Sequence, residues 1–129
     1  MPQLSTDDML AITQLYARYN HAIDSGNGAG WAATFTPDGT FSSASGTFAG
    51  TDQLSAFATG FAQRIKARHW TNNLVIDPAE NGATGSCYLI LYALQEGKPN
   101  IFTTGIYKDQ LVKTDGGWKF ASRTVDRDE

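Results

Sequence analysis

Apolar residues recur three and four positions apart through the first half of the chain and two apart through the second, with the change of period at His69. In the first stretch Met9, Ile12, Leu15, Tyr16, Tyr19 and Ile23 form one helical stripe. Ser5 and Thr6 ahead of Asp7 and Asp8 supply an N-cap and first-turn acids, and SGNG at 25–28 ends the helix. A short second helix is expected over 29–35. Pro37, Asp38 and Gly39 mark a turn, after which TFSS and GTFAG read as brief strands. Thr51 or Asp52 then caps a third helix whose apolar face is Leu54, Phe57, Ala58, Phe61 and Ile65. Arg64, Lys66 and Arg68 follow at its negative end. From His69 the alternation predicts long antiparallel strands over 69–77, 83–95, 101–114 and 118–125, separated by DPAENG, EGKPN and TDGG. Helices first and a sheet afterwards is an α+β order in which the helices cover one face of the sheet.

With 129 residues there is room for one domain, 1–129, with a proper core, and 41% hydrophobic residues exclude wholesale disorder. Ten basic residues scattered through a chain of net charge −3 form no stripe to neutralise a nucleic-acid backbone, so nucleic acid is not an expected partner. Cys87, the one cysteine, leaves no disulfide and no thiol cluster for a metal. No run is long enough to cross a bilayer and the N-terminus carries no basic segment before an apolar one, so a soluble, cytoplasmic protein is expected. Phosphate-cradling glycine loops and metal-ligand spacings are absent, and no cofactor or metal is expected.

Candidate chemistry starts from Asp24, which stands at the negative end of the first helix, where a carboxylate is mildly unfavourable and its presence suggests another use. His69, forty-five positions later, opens the strand run HWTNNLVI. If the carboxylate accepts from one ring nitrogen, the other becomes a proton acceptor whose cationic form the carboxylate stabilises. His21, three residues before Asp24, is the rival imidazole. Asn72 and Asn73 are poor strand formers, and Asn73, on the same parity as His69, is expected in a pocket.

The segments RYNHAIDSGNGAGWAATFTPDGTF, FAGTDQL, RHWTNNLVI and GGWKFASR, in that order, resemble the SnoaL-like proteins of the nuclear transport factor 2-like superfamily over nearly the whole chain. That resemblance implies a sheet wrapped into a cone around a pocket that three N-terminal helices close. The Asp24 and His69 positions look most like those of scytalone dehydratase, lindane dehydrochlorinase and bile-acid dehydratase. These are lyases without metal or organic cofactor, in which the histidine of such a pair removes a proton from carbon as a leaving group departs. Tyr19 matches the placement of a tyrosine in the bile-acid enzyme, and Arg123 more loosely that of an arginine. Phe41 departs from the pattern, standing about where some dehydratases carry a second tyrosine. Ser42, Ser43 and Ser45 stand where ketosteroid isomerase keeps its base, which disfavours that mechanism, and no match to the acidic pair of limonene epoxide hydrolase is seen.

The expected function is therefore a dehydratase-type elimination on a small, mostly apolar, cyclic substrate, with a ligand-binding or assembly domain, or a polyketide cyclase or isomerase, as alternatives. Asp24, His69 and Tyr19 are the expected catalytic set, and Tyr16, Trp31, Phe35, Phe41, Phe57, Phe61, Asn73 and Arg123 the expected pocket. Several carry a second reading. Tyr16 and Tyr19 fit core aromatics equally well, and on an ideal helix Tyr19 and Asp24 point about 140° apart. On simple parity Arg123 faces away from Trp118 and Phe120, toward the surface. The resemblance also implies a homodimer or homotrimer formed through the exposed sheet face. Tyr88, Ile90, Tyr92 and Leu94 either form that face or line the cone.

Overall fold

Ser5 is the residue that starts helix α1 (Thr6–Asp24). Its hydroxyl accepts from the Asp8 N–H at 3.0 Å while the Asp8 carboxylate accepts from the Ser5 N–H at 3.2 Å, a reciprocal cap that satisfies two otherwise orphaned donors. Ile12, Leu15, Tyr16, Tyr19 and Ile23 bury the predicted stripe, and Met9 stays at the rim. Helix α2 (Gly28–Ala32) is shorter than expected, because the Phe120 N–H captures the Thr34 carbonyl at 2.9 Å and draws the chain into the sheet.

A computed structural model describes residues 3–128; residues 1, 2 and 129 of the expected single domain lie outside it. After α2 come β1 (Phe35–Ser43), β2 (Gly46–Ala49), α3 (Thr51–Arg64), β3 (Ala67–Ala79), β4 (Gly82–Gln95), β5 (Lys98–Thr114) and β6 (Gly117–Arg127). The six strands form one curved sheet in the order β2-β1-β6-β5-β4-β3, antiparallel throughout except for the parallel β1–β6 pair. The α+β architecture is the one expected, with the helices over the inner face and Ile12, Tyr19, Trp31, Leu54 and Phe120 fully buried between the layers. On the outer face Trp70 and Tyr88 are exposed, and Trp70 meets Tyr92 edge to face at 4.9 Å. These tyrosines therefore do not line the cone.

Two expectations are corrected. Pro37, Asp38 and Gly39 make a bulge inside β1, since the partner of Phe35 is Phe120 and that of Thr40 is Ser122. Gly39 is needed there, because a Cβ would stand 2.9 Å from the Phe35 Cβ and 3.0 Å from the Thr36 carbonyl oxygen. Helix α3 is capped by neither Thr51 nor Asp52. Gly50 holds the N-cap at φ 86°, a left-handed conformation open to glycine, with no side-chain cap bond.

Asp8 also ties α1 to the sheet, accepting from the Trp118 indole and from the Lys113 ammonium, each at 3.0 Å. These donors, Trp118 first, hold its carboxyl well below the usual carboxylate range. A depressed native pKa gives stability that is present above the ordinary carboxylate value, about 3.9, and is lost as pH falls below it. Asp8→Asn is accordingly expected to unfold at lower urea than wild type at pH 7 and to lose less midpoint between pH 5 and pH 3. Parallel midpoint curves for the two proteins would contradict this.

Candidate active site

β3 is the sheet's edge strand, so N–H groups that point away from β4 have no strand partner. The His69 N–H is one of these, and the end of α1 delivers Asp24 to it: the two carboxylate oxygens accept at 3.2 and 3.1 Å. The same carboxylate lies 2.6 Å from His69 Nδ1. Three interactions from one carboxylate fix both the backbone and the ring of His69, which is 8% exposed. They also answer the helix-end carbonyls that disfavour a negative charge at Asp24. With Nδ1–H donated to the carboxylate, Nε2 is the ring's basic atom.

On its other side the imidazole borders a cavity of about 650 Å³ inside the curve of the sheet. Tyr19 and Ile23 of α1, Phe41 of β1, Phe57 and Phe61 of α3, Leu89 and Leu91 of β4 and Tyr107 of β5 line it. The Phe61 ring lies 5.6 Å from that of His69. Tyr19 and Asp24 do not converge on each other. Tyr19 borders the cavity, while Asp24 stands behind the imidazole in a groove between α1 and β3, beside Asn20 and Thr71. Burial pushes the Tyr19 hydroxyl pKa up, and Arg123 and Tyr107 pull it back. His21 is exposed on α1 and does not border the cavity.

Of the expected pocket residues, Phe41, Phe57 and Phe61 are in the wall. Trp31 and Phe35 are one layer behind it, packed on Tyr19 at 5.4 and 6.1 Å, because the short α2 turns their rings into the helix–sheet interface. Asn73 is not in the cavity. It adopts φ 55° at a bulge where β3 carries two residues, Asn73 and Leu74, opposite Cys87, and this turns its side chain out. Asparagine tolerates that left-handed conformation better than other non-glycine residues.

Tyr16 and Arg123 are also outside the cavity, and Arg123 is not on the surface. Ala121 is an extra residue in β6, since Leu111 pairs with Phe120 and Gln110 with Ser122, so parity inverts and Arg123 points inward with Phe120. Its Nε donates to Asp109 Oδ1 at 2.9 Å and its Nη2 to Cys87 Sγ at 3.4 Å. The Tyr16 hydroxyl donates to the other Asp109 oxygen. The guanidinium carbon lies 3.4 Å from the Tyr107 ring centroid and 4.3 Å from that of Tyr19. This network supports the two cavity tyrosines from behind. Sequence reasoning missed Tyr107 and Asp109, although a carboxylate on the inward parity of Gly105, Tyr107 and Leu111 was the signal that marks them.

Among the described residues no cluster of three or more His, Cys, Asp or Glu is placed to hold a metal ion, and no helix is long and apolar enough to cross a membrane. Residues 5–124 match the family model of the SnoaL-like domain. Among solved structures, a variant of Rv3472 from Mycobacterium tuberculosis, a protein of unknown function, is similar with a TM-score of 0.89 at 30% identity, over 99% of this chain and 79% of that one. Aln2 from a Streptomyces species is similar with a TM-score of 0.86 at 27% identity, over 95% and 92% of the two chains. A Catenulispora acidiphila protein in complex with S-DNPA is similar with a TM-score of 0.85 at 25% identity, over 95% of each. No curated protein matches the sequence.

Proposed function

The chain belongs to the SnoaL-like domain family, and from that premise we propose that it is an acid–base lyase that eliminates water from a small, mostly apolar cyclic substrate. The observation that carries the reading is the imidazole of His69, held at Nδ1 by Asp24 at 2.6 Å and bordering an apolar cavity on its other side. A carboxylate at Nδ1 stabilises the imidazolium that forms when Nε2 takes a proton, and low polarity around the ring strengthens that pairing.

In this reading Nε2 takes the proton from the carbon next to a substrate carbonyl. The C–H electron pair passes to the carbonyl oxygen as an enolate, which returns the proton or collapses to form the C=C bond as the β C–O bond breaks. The proton on Nε2 passes to the departing oxygen, which leaves as water, and the imidazole returns to its neutral form. The Tyr19 hydroxyl, at the cavity wall, donates to the carbonyl oxygen on which charge builds. The Catenulispora relative is solved in complex with S-DNPA, which supports a reading in which this chain also binds a ligand. The same wall would serve a cyclase or isomerase, and product analysis separates these from elimination.

The test is a panel of cyclic β-hydroxy ketones and β-hydroxy thioesters incubated with the protein in D₂O. Conjugated product should appear in the ultraviolet and deuterium should enter the α carbon of unreacted ketone. If no member of the panel shows either change, the elimination reading fails.

A further inference from the structure

We infer that the molecule taken into this cavity carries an anionic group, of carboxylate type, held at the mouth by Arg64 and Lys66 while its apolar body lies against Phe57 and Phe61. The inference rests on the proposed function only in taking the cavity as the substrate site; it does not depend on the elimination chemistry. The charged residues around the cavity are Arg64, Lys66 and Arg127, with no aspartate or glutamate among the lining residues. The chain as a whole has thirteen acids and ten bases, so an all-basic mouth runs against the overall balance.

Two of these cations are placed by the backbone. Arg64 is the last residue of α3, and Ile65, extended at φ −145° and ψ 132°, carries the chain straight into Lys66 and β3. The Lys66 carbonyl is fixed by the Leu94 N–H at 2.8 Å. Neither Arg64 nor Lys66 takes part in an ion pair among the described residues, whereas Lys113 and Arg123 do. The third cation, Arg127, donates to the Thr103 hydroxyl at 3.4 Å, beside the same opening. His69 follows Lys66 by three positions of extended chain, so their Cα atoms stand about 10 Å apart at roughly 3.3 Å per residue. Over that span the walls are aromatic and aliphatic. An apolar ring system with a carboxylate at one end fits both the wall and the mouth, and a neutral ligand leaves Arg64 and Lys66 without an anion to meet.

Arg64 has a second possible use, since a cation in the last turn of α3 offsets the helix dipole, and the experiment separates the two. Dissociation constants for 2-naphthoate and 2-naphthamide, which share a ring system, are measured by calorimetry for wild type, for the Arg64→Gln/Lys66→Gln double variant and for His69→Ala. Wild type should prefer the carboxylate by about tenfold at low salt, as expected of two partly exposed charge pairs, with the preference shrinking as salt is raised. The double variant should bind both probes equally and leave the amide's affinity unchanged, while His69→Ala should keep the preference. Equal affinities in wild type, failure of the carboxylate to bind, or a preference that survives in the double variant with only a lower melting temperature overturns the inference. A carboxylate preference without turnover on the panel would defeat the elimination reading alone. Turnover without that preference would defeat this one alone.

Discussion

Asp109→Ala is expected to remove about 3–5 kcal/mol of folding stability, the range for breaking a buried ion pair from one side. Asp109 and Arg123 both have fully buried side chains and meet at 2.9 Å. Without the carboxylate the guanidinium keeps a weak bond to Cys87 Sγ and its place over the Tyr107, Tyr19, Phe120 and Tyr16 rings, none of which carries a full negative charge, and Arg123 Nη1 already has no hydrogen-bond partner. The Tyr16 hydroxyl loses its acceptor as well. Against a typical total of about 5–15 kcal/mol, that loss brings the chain close to unfolding at room temperature.

The damage comes from stranding a charge and not from losing an attraction, so Asp109→Leu combined with Arg123→Met should recover most of it. Urea unfolding of the three proteins decides the matter, and a single variant within about 1 kcal/mol of wild type would show that the pair carries no such weight. Burial pushes the Asp109 carboxyl above its ordinary value, while Arg123 and Tyr16 pull it back down, so the carboxylate depends on those two partners as much as they depend on it.

How much of this was legible in the sequence depends on whether a feature is set by local chemistry or by strand register. The α1 stripe, its Ser5 cap and its end at Asp24 follow from spacing and side-chain type, and the structure reproduces them. The strands β3 to β6 follow from period-two patterning and turn residues. What parity could not give were the side chains beyond a bulge. One extra residue at Ala121 turned Arg123 from an expected surface position into the centre of the buried network. One at Asn73 moved that residue from the cavity to the groove that holds Asp24. Neither bulge has a glycine to announce it, and a period-two reading carries its first error through every later residue of the strand. The meeting of Asp24 with His69 does not depend on such counting, because the end of a helix and the start of an edge strand fix both residues.

His69→Ala is expected to lower turnover on any substrate found in the panel by about a hundredfold to ten-thousandfold, the usual contribution of a positioned acid–base group. Asp24→Asn is expected to fall within the lower half of that range, with KM little changed. Its carboxylate lies behind the imidazole, away from the cavity, and has no contact to offer a substrate. The amide can still accept from the His69 N–H and from Nδ1–H, so α1 stays docked on β3. What it removes is the negative charge that favours the imidazolium formed when Nε2 takes the proton. A structural role for Asp24 predicts the reverse pattern: a lower melting temperature with turnover intact. Melting temperature and turnover measured on the same Asp24→Asn preparation separate the two. If His69→Ala turns over the substrate as fast as wild type, the ring is not the base, and the cavity then works by positioning its ligand against some other group.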